Sequence, residues 1–340
     1  MEVLSRLNRM RCAIRLLKGP ERRQGLCSAS GSAARPPVVR LSVQDATALW
    51  ERQFRQSGVS EPSLSSQYIM AHVLGAKTMA NLGPDVLTKT LTDMQTHQFW
   101  KLCAKRLTRM PVQYVIEEWD FRDLTLKMRP PVFIPRPETE ELVGLVLEGL
   151  WPMQDSGISG LRCLEVGCGS GAISLSLLHA LPQLRAVAVD RSAEAVRLTQ
   201  ENANRLGLQD RIEIHQLDVT VDAEVILREC SRVIALISNP PYLFSKDMTS
   251  LEPEIIRFED PAALDGGEDG MLIIRHILAL APQLLTHNGL LYLEVDPRHP
   301  PMIQQCVQEE RIAGLHYLQT RYDITDRPRF CVLQRRGTED

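Results

Sequence analysis

Asn239, Pro240, Pro241 and Tyr242 form a stretch suited to holding a flat –NH2 group. They follow an apolar run, Val233 to Ile237, that reads as a buried strand. Proline has no N–H and fixes φ near about −65°, so two in succession force the chain out of a sheet and turn carbonyls outward. The rim this creates offers Asn239 Oδ1 and the Pro240 carbonyl as acceptors beside the Tyr242 ring. Two N–H donors can be held there while the ring covers a planar group. A proline turn that caps a strand is the simpler reading of Pro240-Pro241 alone. Asn239 before it, Tyr242 after it and a glycine loop upstream favour the chemical reading.

The glycine loop is Gly167-Cys168-Gly169-Ser170-Gly171. It lies between a strand predicted over residues 161–166 and a helix predicted from Ala172 to Leu178. Glycine lets the backbone turn tightly and approach a ligand closely. Dinucleotide-binding enzymes carry Gly-x-Gly-x-x-Gly at such a turn. Here the third glycine comes one residue early and an acidic Glu165 precedes the loop, a form that resembles the S-adenosylmethionine loop of Rossmann-like methyltransferases. The next strand, Ala186 to Val189, ends in Asp190, about 20 residues past the glycines, where an acid binds ribose hydroxyls. A helix N-cap is the alternative role for Asp190. A further strand, Ile212 to Leu217, ends at Asp218-Val219, the position expected for the adenine.

Together these residues resemble the HemK/PrmC family, protein glutamine N5-methyltransferases that modify peptide-chain release factors. The signatures are Phe133-Ile134-Pro135-Arg136-Pro137-Glu138-Thr139-Glu140, Glu165 to Gly171, and Asn239 to Tyr242. Weaker echoes are Ala263 to Gly270 and Arg327-Pro328-Arg329-Phe330. Asn-Pro-Pro-Tyr also occurs in enzymes that methylate exocyclic amines of DNA or RNA bases, and the Pro-Arg-Pro-Glu-Thr-Glu segment narrows the choice. The resemblance implies a catalytic role for Asn239, Pro240 and Tyr242. It implies S-adenosylmethionine binding by Glu165, Gly167, Cys168, Gly169, Ser170, Gly171, Asp190, Asp218, Val219 and Asn239. Substrate binding falls to Asn239 through Tyr242, with Arg136, Glu138 and Thr139 at the entrance, holding the substrate loop or else shaping the cofactor pocket. Thr139 has a second reading, as N-cap of a helix from Glu140 to Leu150. The chain departs from the family over Tyr292 to Arg298, where relatives often have Glu-His/Ile-Gly and then Gln, so Asp296 receives no role. It departs again at Val219, where some relatives carry tryptophan.

The elements that must position these residues follow from periodicity. Residues 41–110 read as a small helical domain, either a substrate-binding module or a purely packing one. Helices are predicted over 43–57, 63–74 and 92–107, broken at Gly58, Gly75 and Gly83-Pro84. Residues 111–135 read as a β-hairpin linker: Val112, Tyr114, Val115 and Ile116 have strand-like composition, as do Leu124, Leu126 and Met128, around a turn near Asp120 to Asp123. From 136 to 338, strands alternate with helices, the pattern of an α/β fold with a parallel sheet. Ligands bind at the carboxyl ends of such strands, and the glycine loop, Asp190, Asp218 and Asn239 all follow strands on that edge.

At 340 residues, with 44% hydrophobic and 24% charged side chains, the composition is that of a globular protein. No apolar run approaches a membrane span. The eight cysteines include no C-x-x-C pair and read as reduced thiols, with no metal site. Residues 1–40 hold nine basic and two acidic side chains, a net +7. The rest therefore carries −10 of the chain's total of −3. An Arg-rich, acid-poor start followed by a Ser/Ala/Gly stretch reads as a mitochondrial transit peptide leading to the matrix; a nucleic-acid-binding arm is the alternative. The arm has no aromatic residues to stack on bases. The expectation is a monomeric enzyme acting on the Gly-Gly-Gln loop of a release factor, without direct nucleic-acid contact. A nucleic-acid amino-methyltransferase and a non-catalytic release-factor- or ribosome-binding module are the other two readings.

Overall fold

A computed structural model describes residues 40–154, 160–230, 232–309, 312 and 314–336. The basic N-terminal segment, and with it the transit-peptide reading, lies outside the described residues apart from Arg40.

The helical region opens with α1 (Val43–Gln56), capped by the Ser42 hydroxyl, which accepts from the Asp45 amide. It continues with α2 (Pro62–Val73) and α3 (Asp93–Leu107), where Thr92 and Gln95 form a capping box. Gly58 and Gly75 follow α1 and α2 in the left-handed region, as the predicted breaks require. Apolar faces meet in one cluster around Trp50, Phe54, Ile69, Met70 and Phe99.

The strand-like reading of Val112 to Ile116 is corrected: these residues form a short helix, α4 (Val112–Ile116). Val112, Val115 and Ile116 recur at the i, i+3, i+4 spacing of a helical face and pack into the same cluster as α1 to α3. Here the tertiary contacts outweigh the β-propensity of branched side chains. The hairpin itself is shorter than predicted, β1 (Glu118–Phe121) against β2 (Leu124–Lys127), with Arg122 at positive φ in its turn.

The Rossmann-like α/β domain begins with α5 (Pro137–Gln154) and continues through β3 (Arg162–Val166), α6 (Ala172–Ala180), β4 (Arg185–Asp190) and α7 (Ala193–Leu206). Then follow β5 (Ile212–Gln216), α8 (Ala223–Cys230), β6 (Val233–Ser238), α9 (Pro253–Phe258), α10 (Leu272–Leu284), β7 (Leu285–Glu294), α11 (His299–Glu309), β8 (Leu315–Tyr322) and β9 (Pro328–Arg335). The sheet order is β5-β4-β3-β6-β7-β9-β8. The first five strands are parallel, and β9 pairs antiparallel with both β7 and β8. Two apolar clusters cover the two faces, which is why β3 and β6 read as nearly continuous apolar runs.

Chain order reverses between β3 and β6, and the register there decides the site. Val166 pairs with Ser238, and Ser238 with Leu293. The residues that follow, Gly167, Asn239 and Glu294, therefore leave three adjacent strands side by side at one sheet edge.

Candidate active site

A cavity of about 530 Å³ opens at this edge, within the size range of small-molecule sites. Its wall includes Glu165, Gly167 to Ser170, Asp190, Asp218, Val219, Asn239 to Tyr242, Arg136 and Thr139. The structure thus gathers most of the residues singled out in the sequence around one space.

Gly167 and Gly169 have φ of 81° and 55°, and a side-chain carbon on Gly169 would meet nothing within 4 Å. The loop therefore presents bare backbone to the cavity. Asp190 ties it down: Oδ2 accepts from the Gly169 amide and Oδ1 from the Ser192 amide, both at 2.9 Å. The cap of α7 is Ser192, not Asp190, which removes the N-cap reading of Asp190. Burial pushes the Asp190 carboxyl up, against those two amide hydrogen bonds.

Gly171 is a correction. It does not line the cavity but stands at the start of α6, with φ of 82°, where a side-chain carbon would come within 2.9 Å of Leu175 and Thr199. Its smallness serves the packing of α6 against α7 rather than ligand contact. Cys168 lines the cavity, but its thiol is buried and accepts from Thr199.

Glu165 is 1% exposed, and its Oε2 accepts from the Ser174 amide in the first turn of α6. Burial pushes its carboxyl up to about 8. Asp218 behaves oppositely. Burial raises it, but the Thr220 hydroxyl and amide, both donating to Oδ1, bring it below the usual carboxylate range.

The Asn-Pro-Pro-Tyr segment is clamped from behind. The Leu243 amide donates to the Leu264 carbonyl, and the Gly266 amide donates to the Leu243 carbonyl. Side-chain carbons on Gly266 and Gly270 would lie 2.7 Å from the Pro241 carbonyl and 2.5 Å from the Tyr242 carbonyl. This close approach accounts for Gly266 and Gly270 in the Ala263 to Gly270 echo, while Gly267 takes a φ of 92°.

Asn239 Nδ2 donates to Thr139 Oγ1 at 3.1 Å, and Thr139 Oγ1 donates to Glu294 Oε2 at 2.9 Å. Tyr242 OH donates to the other carboxylate oxygen, Glu294 Oε1, at 3.2 Å. Thr139 lies inside α5, so the capping role is corrected: its hydroxyl bridges Asn239 and Glu294. Glu294 was not singled out in the sequence. It is 1% exposed, and burial pushes its carboxyl up to about 7. The signal available in the sequence was its place at the end of an apolar run, Leu290 to Leu293. Asp296 turns instead to Arg298.

Two entrance residues are committed elsewhere. Arg136 lines the cavity while pairing with Glu259 at 2.7 Å, and Glu138 faces Arg327 instead of the cavity. Glu259 also accepts from the Ile134 amide. A few residues earlier, Glu254 sits among Arg106, Arg109 and Ser60 of the helical region, with contacts of 2.9–3.4 Å. Leu251 and Ile255, which flank Glu254, line the cavity, so this wall is anchored at both ends. Among the described residues no cluster suited to a metal ion occurs, and no helix is long and apolar enough to cross a membrane.

A family model described as the PrmC N-terminal domain matches residues 45–116, and one described as the methyltransferase small domain matches residues 152–287. The MTRF1L release factor glutamine methyltransferase of Homo sapiens is 49% identical over 327 residues, covering 95% of this chain and 97% of that protein. A release factor glutamine methyltransferase of Deinococcus radiodurans is 32% identical over 289 residues, 83% of this chain and 94% of that protein. Among solved structures, a 16S rRNA methyltransferase of T. thermophilus, in complex with AdoMet and guanosine, is similar with a TM-score of 0.42. Its sequence identity is 18%, over 65% of this chain and 50% of that one.

Proposed function

The chain belongs to the release factor glutamine methyltransferase family, and we propose that it methylates N5 of the glutamine in the Gly-Gly-Gln loop of a mitochondrial release factor. It is an S-adenosylmethionine-dependent protein glutamine methyltransferase. The observation that carries the reading is the orientation of Asn239. With Nδ2 committed to Thr139, its Oδ1 is left for the cavity.

The cavity fits the cofactor in size, in its bare glycine lip and in the carboxylates at its strand ends. Gly167 to Ser170 would hold it with Glu165, Asp190 would meet its ribose, and Asp218 and Val219 would flank its adenine. Bound there, S-adenosylmethionine supplies a methyl carbon made electrophilic by its sulfonium.

An amide nitrogen is a poor nucleophile, because its lone pair is delocalised into the carbonyl. It is scarcely deprotonated at neutral pH, so a base cannot act first. Orientation is what the chain can provide. Asn239 Oδ1 and the Pro240 carbonyl accept the two N–H bonds of the glutamine and aim the nitrogen's face at the methyl carbon. Positioning of this kind is worth up to ~7–11 kcal/mol in favourable systems. As positive charge develops on nitrogen, the same two oxygens stabilise it. Its proton, strongly acidic once the methyl is on nitrogen, passes to water as the product leaves the site. The Tyr242 ring, steered by its bond to Glu294, covers the amide and excludes water.

The acidic balance of residues 41–340 disfavours a phosphate backbone as partner and suits a protein with a basic surface. The helical region serves as the docking module, and the enzyme acts as a monomer. The Arg-rich first 40 residues support targeting to the mitochondrial matrix. Incubation with labelled S-adenosylmethionine, a Gly-Gly-Gln release factor, its Gln-to-Ala form, DNA and RNA tests the reading. Label should enter the intact release factor alone. Label persisting without the glutamine, or entering nucleic acid faster, favours the amino-methyltransferase reading. Cofactor binding without any transfer favours a non-catalytic module.

A further inference from the structure

We propose that Glu294 is a positioning residue: acting through the Thr139 hydroxyl, its carboxylate fixes which atom of the Asn239 amide faces the substrate. The inference rests on the reading of Asn239 as holder of the glutamine amide.

The argument follows donor and acceptor polarity along the chain of contacts. An ionised carboxylate only accepts hydrogen bonds. Thr139 must therefore give its single hydroxyl hydrogen to Glu294 Oε2. Its oxygen is then left to accept, so Asn239 has to present Nδ2 to it. The amide is planar, and fixing Nδ2 on Thr139 directs Oδ1 the other way, toward the cavity. Tyr242 is governed by the same carboxylate, since its hydroxyl hydrogen goes to Oε1. One buried charge thereby sets the acceptor that grips the substrate and the ring that covers it.

Protonation of Glu294 breaks this logic. The Thr139 hydrogen is then free to turn toward Asn239, which accepts it only by presenting Oδ1. Nδ2 then faces the cavity and opposes the N–H donors of a glutamine. Burial already pushes the Glu294 carboxyl up to about 7, so the switch lies in an accessible range. The titratable and charged groups facing it are Glu138 on α5, Tyr242 after β6 and Arg329 on β9. Of these, Glu138 favours the protonated form and Arg329 the ionised one.

The test is single-turnover methyl transfer to a Gly-Gly-Gln release factor as a function of pH, at S-adenosylmethionine concentrations that saturate the enzyme at every pH, for the full chain and for Glu294→Gln. Glutamine at 294 is a neutral side chain of nearly the same shape and imitates the protonated carboxyl. The unsubstituted enzyme should lose rate as pH falls through a midpoint near about 7. Glu294→Gln should be slower by about tenfold or more above that midpoint, less than the ~10²-fold of losing a preorganised contact outright, because Asn239 itself remains in place. Its profile should lack that acid limb, while its S-adenosylmethionine affinity stays within about twofold. Thr139→Val should produce the same loss, and Thr139→Ser should recover most of it. Full activity of Glu294→Gln, or the same acid limb in its profile, overturns the proposal. So does a loss of rate fully explained by weaker cofactor binding. Absence of glutamine labelling by the unsubstituted enzyme would instead sink the underlying reading of function, so the two failures are distinguishable.

Discussion

Asp190 Oδ2 accepts the Gly169 amide hydrogen at 2.9 Å, joining the end of one strand to the loop that leaves the next. A carboxylate placed there shapes the loop and faces the cavity at once. Asp190→Ala should weaken S-adenosylmethionine binding by roughly 1.5–3 kcal/mol, the scale of hydrogen bonds to a charged group. Isothermal titration calorimetry measures it. Unchanged affinity would confine Asp190 to holding Ser192 and the loop.

Glu165 predicts a proton linkage. Its folded value, about 8, lies above the ordinary carboxylate value of 4.5, with burial as the cause. Between those values the native site holds a proton that the unfolded chain has lost, so this group's contribution to stability falls as pH rises. A cationic ligand favours the ionised form. Cofactor binding should therefore release a proton below about 8, and affinity should rise toward that pH. Calorimetry in two buffers of different ionisation enthalpy should give different apparent enthalpies for the native enzyme and equal ones for Glu165→Gln. Equal enthalpies for both would remove the linkage.

Glu254 predicts the opposite sign. Burial raises its carboxyl, but the Arg109 hydrogen bond and the Ser60 contacts outweigh burial and hold it down at about 2. Because this lies below the ordinary 4.5, its contribution is present above 4.5 and is lost as pH falls through about 2. Glu254→Gln leaves Arg106, which is 3% exposed, without its buried carboxylate. Breaking such a buried pair costs about 3–5 kcal/mol. Urea unfolding at neutral pH should show that loss, together with weaker cofactor binding from a loosened Leu251–Ile255 wall. A change below about 1 kcal/mol would reduce the pair to the standing of an exposed one.

The basic segment makes a separate prediction. Residues 1–40 fused to a fluorescent protein should direct it to mitochondria, and the chain without them should keep its methylation rate. Cytosolic or nuclear fluorescence would remove the mitochondrial assignment.

Much of this site could be read from the sequence because its parts are local. A glycine loop, an acid at a strand end and Asn-Pro-Pro-Tyr each carry their chemistry within a few residues. Periodicity then placed all of them on one sheet edge. Glu294 was hidden because its partners lie 155 and 52 residues away in the chain, and only the strand register reveals them. Glu254 was hidden for the same reason, being 148 residues from Arg106. The misreading of Val112 to Ile116 had a different origin. Branched side chains suggested a strand, whereas their spacing matched the helical face that the domain core buries. Gly171 resembled its loop neighbours in sequence, but a single step along the chain moved it from the cavity lip to the packing beneath it.

The central claim is that Asn239 holds the acceptor amide rather than the bulk of the cofactor. It is tested most directly by measuring kcat for glutamine methylation and S-adenosylmethionine affinity on one preparation of Asn239→Ala. The account predicts a fall in kcat of ~10²-fold or more, the scale for a lost preorganised polar contact, with affinity within a few fold. Near-normal turnover by Asn239→Ala would contradict it.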